Sequence, residues 1–337
     1  MANPVLLLIN DIHVSKDNVP EFIKNWNEAL EICKANKIKD IVIGGDLWQS
    51  RSAQTLSVLM AVRQALIKAS LAGMGVIIAE GNHCKVDQES LLGYSHIFSE
   101  YHNVFVISDY HVFDLGRNVF FYVMSYFPEN GSFTERFEKM LDDKFNESAT
   151  NLLYIHEGIR GGLATSTDKE LPAAMFKDFD KVFVGHYHDR KKIPGTKIEY
   201  IGASRQHNFG EDEEKGYTIV FNDGSSKLVK NQVNMRYRVL DLSINQLDNV
   251  PEQKEGYKTK TRIHCTSSEA VKIDKTKLTE LGYKVEVISE DVCTKAEDKA
   301  LDEKFDKSGL KAEYLQFCSD KDIQDVEMGL FYLDKIN

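Results

Sequence analysis

The sequence predicts an α/β fold built from two packed sheets, and three observations support this prediction. Short apolar runs alternate with amphipathic helical patterns through the first part of the chain, a βαβ rhythm typical of parallel strands in a domain core. Later apolar runs follow one another with few helical patterns between them. The chain has neither a Gly-rich dinucleotide motif nor a P-loop motif. A two-sheet sandwich therefore accommodates the sequence better than a single Rossmann-type sheet does.

Apolar periodicity assigns the elements of the first part. In order, they are strand 5–10, helix 21–36, strand 41–43, helix 53–72 and strand 76–79. Gly73 and Gly75 end the second helix before the next strand begins. These strands are short and mostly apolar, as expected for strands that are covered on both faces.

The later part is richer in strands. We predict strands at 104–107, 119–124, 152–155, 181–184, 199–201 and 217–221, and one more at 236–242. A smaller α/β pattern then follows, with strand 261–266, helix 274–281 and strand 283–288. The predicted domains are a catalytic domain over 1–245, a small α/β module over 257–290, a charged linker over 291–308 and an amphipathic helical segment over 309–337.

Length and composition fit an enzyme that works in a reducing compartment. The chain has 337 residues and a formal net charge of −10, and its length predicts one large domain and a smaller one. Its five cysteines show no Cys-x-x-Cys spacing, which argues against a disulfide framework or a zinc ribbon. The apolar run near the start is too short for a signal sequence or a membrane span. We expect a cytoplasmic protein without a membrane partner, or one in the host cytoplasm if a phage encodes it.

Five short motifs are the most informative feature of the chain, and nearly every one follows a predicted strand. They are Asp11-Ile12-His13, Gly45-Asp46, Gly81-Asn82-His83, His156 and Gly185-His186-Tyr187-His188. Alternate residues of an ending strand share a face, so an Asp-x-His or His-x-His spacing presents two side chains together. Imidazoles and carboxylates are suitable ligands for Mn, Fe or Zn ions. The set therefore predicts a two-metal site, a type of site that clamps both oxygens of a phosphoryl displacement.

Each motif alone has a simpler explanation. A single histidine after a strand is more often a structural residue, an Asp there is commonly a helix N-cap, and Gly-Asn-His is most often a turn. All five in one order favour the metal site. Within it, Asn82 offers a neutral oxygen ligand, and His83 is left to act as a general acid or to hydrogen-bond a phosphate oxygen.

At these residues the chain resembles the calcineurin-like metallophosphoesterases over about residues 1–235. The resemblance implies that Asp11, His13, Asp46 and His188 hold one metal. It implies that Asp46, Asn82, His156 and His186 hold the other, with Asp46 bridging the two ions and His83 as the catalytic histidine that binds neither.

A second stretch is similar to the SbcD-type nucleases of DNA double-strand-break repair and to their phage counterparts. It runs from Tyr200 through Gly202, Ser204, Phe209 and Glu211 to the pair Lys215-Gly216. Two positions depart from the family. Cys84 follows the catalytic histidine where the family has Asp or Glu, and Gln49 stands where cellular members have His. A thiol is mostly neutral at pH 7, so Cys84 cannot hold His83 protonated; Asp87 and Glu89 are candidates to replace it.

The resemblance implies a Mn²⁺-dependent DNA exonuclease, with endonuclease activity as a further option, in an SbcCD-like repair complex. Fe, Zn or Co would also suit the ligands. The implied partners are DNA, an SMC-like SbcC-type ATPase docked on 309–337 and a second copy of the chain. Two alternatives remain open: a small-molecule phosphodiesterase or phosphatase, and a catalytically weakened scaffold subunit.

Phosphate contacts usually dominate DNA affinity, and a net charge of −10 therefore predicts that the chain alone does not grip DNA tightly. Local basic residues can still serve the site. We take Arg160, Arg205 and His207 as candidate substrate-binding residues, because their loops should lie beside the metals.

Overall fold

The structure is a computed structural model. It describes residues 2–163, 169–243, 246, 254–270, 273, 275–280 and 282–289, and residues 311, 314, 315, 317, 318, 326 and 330. The chain divides into two compact units. The first comprises Met1–Val239 and Gln253–Lys260, and the second comprises Leu240–Glu252 and Thr261–Asn337.

Two six-stranded sheets form the first unit. The first sheet contains, from edge to edge, β12 (Ser226–Lys230), β11 (Gly216–Phe221), β1 (Pro4–Ile9), β2 (Asp40–Gly44), β3 (Gly75–Ala79) and β4 (Val104–Ile107). Strands β1 to β4 are parallel, with Leu8 opposite Val42 and Val42 opposite Ile77. Strands β11 and β12 are antiparallel to their neighbours.

The second sheet repeats this mixed arrangement. It contains β5 (Tyr110–Asp114), β6 (Val119–Met124), β7 (Thr150–Ile155), β8 (Lys181–Val184), β10 (Ile198–Tyr200) and β9 (Lys191–Lys192). Strands β6, β7, β8 and β10 are parallel, and the edge strands β5 and β9 are antiparallel.

The two sheets pack face to face through apolar side chains. Helices cover the outer face of each sheet. Along β1, Leu6 and Leu8 belong to the cluster between the sheets. Leu7 and Ile9 face the other way, into a cluster shared with the helices α1 (Val19–Asn36) and α2 (Leu56–Leu71). On the second sheet the helix α3 (Phe133–Lys144) contributes three buried side chains, Phe133, Phe137 and Met140. Central strands are therefore buried on both faces, which explains their near-continuous apolar sequences.

Trp26 of α1 faces this core. Its side chain is buried, and its indole Nε1 donates to the carbonyl oxygen of Ala65 in α2 at 2.8 Å. The apolar face of this helix therefore packs inward.

The remaining elements are smaller. A three-stranded sheet has the order β13 (Arg236–Ser243), β14 (Tyr257–Cys265), β15 (Lys284–Ser289), and the short helices α4 (Ser267–Ala270) and α5 (Lys275–Glu280) precede β15. Two 3-10 helices lie at Tyr94–Phe98 and Ala173–Phe176. Ile263, Leu278 and Tyr283 form the buried centre of the second unit.

The predicted two-sheet α/β architecture is confirmed. The sequence patterns did not predict β5, β9, β12, α3 or α4, and the first two helices begin at Val19 and Leu56 rather than at 21 and 53. The predicted linker 291–308 lies outside the described residues, and so does most of 309–337. The predicted domain boundaries stay a prediction. None of the described helices is both long and apolar enough to cross a membrane.

Candidate metal centre

Five parallel strands deliver acidic and histidine side chains to one edge of the first unit. The motifs follow β1, β2 and β3 of the first sheet and β7 and β8 of the second, and the carboxyl ends of parallel strands are where α/β folds build their sites. The ligand atoms of Asp11, His13 and His188 lie within 4.8 Å of one another. Those of Asp11, Asp46 and His156 do so as well.

The backbone is strained at four of these residues. The φ angle is 48° at Asp11, 49° at His13, 45° at Asp46 and 87° at His186. Left-handed conformations of non-glycine residues cost on the order of 1–3 kcal/mol each and persist at sites that the surrounding structure holds in place. Here the first two motifs hold each other, because the His13 amide donates to the Asp46 carbonyl oxygen at 2.9 Å.

Two motif glycines allow the close approach of the loops. A Cβ atom at Gly81 would collide with the backbone and carboxylate of Asp46, and one at Gly45 would collide with the imidazole of His156. Gly45 also has a φ angle of 84°, which only glycine adopts at little cost.

His156 and the two aspartates form the centre of the site. The Nδ1 atom of His156 lies 3.0 Å from the carbonyl oxygen of Gly44, so Nδ1 carries the proton and Nε2 faces inward. That Nε2 lies 3.3 Å from Asp46 Oδ2 and 3.7 Å from Asp11 Oδ1. Burial alone would lower the pKa of His156, but the two carboxylates outweigh it and raise the pKa to about 9. The raised pKa shows that positive charge at this position is favourable, because it balances the charge of two buried carboxylates.

Two neighbouring histidines are held neutral. Burial lowers the pKa of His13 to about 3 and that of His186 to about 3, although Asp46 opposes both shifts. Their ring nitrogens therefore keep free lone pairs at neutral pH, which is the form that binds metal ions.

His188 is oriented by Glu211, which accepts from its Nδ1 at 2.9 Å. The opposite nitrogen, Nε2, then points at His13 Nε2 from 3.1 Å. A carboxylate behind a ligand histidine fixes its tautomer and raises its basicity, as the outer partners of metal-binding histidines do.

The Asn82 amide lies among His186, Asp46 and Arg51. With its oxygen toward His186 Nδ1, 3.3 Å away, that oxygen also faces the Asp46 carboxylate. In the reversed orientation the amide nitrogen donates to both groups and the oxygen accepts from Arg51. The first orientation is the one in which the amide oxygen could bind a cation beside Asp46 and His186.

Unpaired buried nitrogens and the types of donor atom show that these residues fit a metal site. His156 Nε2 and His13 Nδ1 are buried and have no hydrogen-bond partner, and unpaired buried polar atoms are costly unless a bound ion or water satisfies them. Carboxylate, amide and imidazole donors are the ligand types of Mn, Fe and Zn. The structure thus brings all seven predicted ligands together at one edge.

His83 lies at the rim of this centre. Its amide donates to Asp46 Oδ1 at 2.8 Å, and its ring meets that of His13 edge-on at 4.9 Å. Its ligand atom is also close enough to those of His13 and Asp46 for the three to hold an ion. The Nδ1 atom is committed to the carbonyl oxygen of Gln49 at 2.8 Å.

The two departures from the family pattern have structural explanations. Gln49 orients His83 through its backbone, so the identity of side chain 49 does not affect this contact. Cys84 is fully buried, and burial together with the neighbouring Glu80 raises the pKa of its thiol well above the usual value. Asp87 accepts from the Glu89 amide, and Glu89 accepts from Ser132, so these contacts do not direct either carboxylate to His83.

The three candidate substrate-binding residues differ in position. His207 packs on the rings of His13 and His188, and its Nε2 lies 2.8 Å from the Asp11 carbonyl oxygen. Arg205 is buried and donates to the Ile12 carbonyl oxygen at 3.0 Å. Arg160 is exposed, and its Nε donates to the carbonyl oxygen of Glu170 at 3.1 Å. Of the three, His207 is the one whose side chain packs on the predicted ligands.

Two residues at the centre were not predicted. Glu211 supports His188 and also accepts from the His207 amide at 2.9 Å, and Arg51 reaches the Asn82 amide. Glu211 belongs to the family-like stretch, which was the available signal for it. Nothing in the sequence singles out Arg51 among the basic residues.

No protein-family model matches the chain. The chain is 24% identical over 228 residues to a Staphylococcus saprophyticus protein named as a subunit of the nuclease SbcCD, an alignment covering 58% of each protein. It is 28% identical over 233 residues to "Putative phosphoesterase 244L" of Invertebrate iridescent virus 6, covering 66% of this chain and 78% of the viral protein. The chain thus spans little more than half the length of the staphylococcal relative.

Solved structures similar to the chain include a nuclease MPE of Pseudomonas putida, with 13% identity and a TM-score of 0.29 over 57% of this chain and 65% of the other. A dimetal phosphatase of Danio rerio has 11% identity and a TM-score of 0.39 over 58% of this chain and 86% of the other.

Proposed function

We propose that this chain, which belongs to the metallophosphoesterase superfamily, is a nuclease that uses two divalent metal ions to hydrolyse phosphodiester bonds in DNA. The observation that supports this most strongly is the convergence of ligand atoms on Asp46. Its Oδ2 faces His156 at 3.3 Å and His13 at 3.6 Å, which suits a carboxylate that bridges two ions.

The ligands divide into two sets. Asp11, His13, Asp46 and His188 would hold one ion, and Asp46, Asn82, His156 and His186 would hold the other. Bound there, the ions would supply an activated water and would neutralise charge on the phosphate. Mn²⁺ is proposed on the resemblance to SbcD-type nucleases, since the ligand set itself also suits Fe, Zn or Co.

His83 would act on the leaving group. The Gln49 carbonyl oxygen accepts the Nδ1 proton, so His83 can donate from Nε2 only as the imidazolium, which carries a second proton there. In that form Nε2 would give its proton to the departing 3′ oxygen, leaving the neutral ring, or would donate a hydrogen bond to a phosphate oxygen. The position of His83 at the rim suits this role, since its backbone contacts Asp46 while its ring remains partly exposed.

DNA is the proposed substrate, cleaved from its ends as an exonuclease and internally as an endonuclease. The net charge of −10 favours a partner that supplies phosphate contacts. We propose an SMC-like, SbcC-type ATPase that binds residues 309–337, and pairing of two copies of the chain. The name of the staphylococcal relative, a subunit of the SbcCD nuclease, supports the SbcC-type partner, and the pairing of two copies rests on the resemblance to SbcD-type nucleases.

The first test is degradation of linear duplex and single-stranded DNA by the purified chain with Mn²⁺, with a chelator as control. Bis(p-nitrophenyl) phosphate and p-nitrophenyl phosphate run alongside as small diester and monoester substrates. Metal-dependent shortening of DNA is the expected result. Hydrolysis of the small esters with DNA left intact, both alone and with the ATPase partner, would refute the nuclease and support a small-substrate enzyme.

Asp46→Ala provides the matched check on the metals. Because it removes the proposed bridge, we expect the variant to lose both bound Mn²⁺ and activity. Glu214→Ala removes an exposed carboxylate that pairs with Lys230 and should change neither. Full metal content and activity in Asp46→Ala would refute the assignment.

A further inference from the structure

We propose that Arg51 is the residue that binds the non-bridging oxygens of the substrate phosphate. This inference rests on the proposed function, since it names the group that recognises the substrate at the same site. The observation behind it is that the Arg51 guanidinium reaches the side-chain amide of Asn82, a predicted metal ligand, whose oxygen accepts from Arg51 when the amide is reversed. Arg51 itself is exposed.

The loop that carries Arg51 is held by three successive backbone contacts. The carbonyl oxygen of Gln49 accepts from the His83 ring. The carbonyl oxygen of Ser50 accepts from the side-chain amide of Gln54 at 2.6 Å. The carbonyl oxygen of Arg51 accepts from the Tyr94 hydroxyl at 3.0 Å. A backbone held at each of three residues fixes the point from which the Arg51 side chain extends before a ligand arrives. Pre-organisation of this kind is what a binding group needs.

Trp48 anchors the same loop from below. Its side chain is fully buried, its Nε1 donates to Ser95 Oγ at 3.0 Å, and its ring stacks on Phe98 at 6.4 Å. The loop is therefore fixed at its base, and the exposed Arg51 side chain extends from it to the Asn82 amide.

Arg51 also differs from other arginines of the first unit in its partners. Among the described residues, no carboxylate forms an ion pair with Arg51, in contrast to Arg136 and Arg190, which pair with Asp109 and Glu199. The charge of Arg51 is therefore not committed to stabilising the fold.

Metal binding would release Arg51 for the substrate. An ion among Asp46, Asn82 and His186 requires the Asn82 oxygen for itself, so the guanidinium loses its present acceptor at that moment. A phosphate at the metals offers it two anionic oxygens, and a guanidinium binds such a pair through two parallel N–H groups. The alternative candidates are less suitable, since Arg205 is buried on a carbonyl oxygen and Arg160 is engaged by Glu170.

The test compares Arg51→Gln and Arg51→Lys with Arg63→Gln. Arg63 is also an exposed arginine, but it lies on α2 and donates to the Tyr101 hydroxyl. Inorganic phosphate is titrated calorimetrically into each protein loaded with Mn²⁺, and Mn²⁺ alone is titrated into each metal-free protein. The phosphate titration needs no turnover, so it tests Arg51 even if the chain proves not to cleave DNA.

We expect Arg51→Gln to weaken phosphate binding by about 10- to 100-fold, the usual effect of losing hydrogen bonds from a charged group. KM for bis(p-nitrophenyl) phosphate should rise by the same factor. Arg51→Lys should lose less, because it keeps the charge without the paired donors. Mn²⁺ affinity should not fall in any of the three variants, and in Arg51→Gln it should equal or exceed the wild-type value, because the guanidinium no longer competes for the Asn82 oxygen. Phosphate affinity in Arg51→Gln equal to that in Arg63→Gln, or a loss of Mn²⁺ affinity that accounts for the change, would overturn the proposal.

Discussion

The Nδ1 atom of His83 lies 2.8 Å from the backbone carbonyl oxygen of Gln49. A carbonyl oxygen only accepts hydrogen bonds, so the proton sits on Nδ1 and Nε2 is free to face the substrate. The group that orients the proposed catalytic histidine is thus part of the main chain. The contact does not involve the side chain of residue 49 or that of Cys84.

His83→Gln should therefore separate chemistry from metal binding. Losing a general acid or a charge-stabilising donor typically costs about 10²–10⁴-fold in rate, and we expect kcat for the diester to fall within that range. The backbone contact of residue 83 to Asp46 is unaffected by the change, so the Mn²⁺ content should be unchanged. Metal analysis and single-substrate kinetics on the same preparation measure both.

His102→Gln is the matched control, because His102 is an exposed histidine that contacts Ser70, away from the site. It should retain wild-type kinetics. A loss of one bound ion in His83→Gln would instead identify His83 as a ligand and contradict its role as the free histidine.

The convergence of the five motifs could be predicted because they follow strand ends. Each motif follows an apolar run. Because the carboxyl ends of parallel strands meet at one edge of a sheet, the five motifs come together there. The contacts that orient the ligands could not be predicted in the same way. The carbonyl oxygen of Gln49 has no sequence signature, because every residue has one, and the partnership of His188 with Glu211 joins residues 23 apart in the chain.

The elements of the fold also differ in how well the sequence predicts them. Strands covered on both faces, such as β2, have apolar sequences and were found with nearly their observed bounds. The edge strand β5 has partly exposed side chains and no strong alternation, so its pairing with β6 decides its conformation. Helix α3 does have apolar residues at Phe133, Phe137 and Met140, a helical spacing that was available in the sequence and was missed.

Glu211→Ala should weaken metal binding without removing a proposed ligand. Glu211 accepts from His188 Nδ1 at 2.9 Å and from the His207 amide, and loss of such an outer partner typically costs about 10- to 100-fold in metal affinity or activity. Calorimetric titration with Mn²⁺ measures this. Glu211→Gln keeps an acceptor but loses the charge, so its affinity should be intermediate.

Glu214→Ala is again the control, since that carboxylate lies three residues away on the surface and pairs with Lys230. Wild-type Mn²⁺ affinity in Glu211→Ala would show that the contact to His188 has no role in orienting it.

Glu21 should make the stability of the first unit depend on pH in the acid range. Burial opposes ionisation, but hydrogen bonds from Lys24, Asn234 and the Met235 amide lower its pKa to about 2. Because the folded pKa lies below the unfolded value, the stabilisation is complete above the unfolded pKa of about 4.5 and is lost as pH falls toward 2. Glu21→Gln should therefore lower the free energy of unfolding at pH 6, and the difference from wild type should shrink between pH 4.5 and pH 2.5.

Urea unfolding at a series of pH values measures this difference. Glu31→Gln is the matched control, because Glu31 is an exposed acid on the same helix that pairs with Lys34. A Glu21 difference that stays constant down to pH 2.5 would show that its hydrogen bonds do not depend on its charge.

Restoring the family carboxylate by Cys84→Asp should destabilise the protein. The Cys84 side chain is fully buried, and burial, Glu80 and Asp46 all raise the pKa of its thiol. A carboxylate there would meet the same surroundings, so its folded pKa should lie above its unfolded value of about 3.9. The penalty then grows as pH rises above 4, and a pKa raised by about two corresponds to about 3 kcal/mol at pH 7.

Cys84→Ser separates charge from size, since serine is small and neutral. We expect its urea midpoint at pH 7 to lie above that of Cys84→Asp, and the two midpoints to converge near pH 4, with both proteins kept metal-free by chelator. Kinetics with Mn²⁺ complete the comparison. If Cys84→Asp is as stable as Cys84→Ser and turns over the diester faster than wild type, the pocket accepts a carboxylate and the natural thiol weakens catalysis. In that case the Gln49 carbonyl oxygen would not be a sufficient partner for His83.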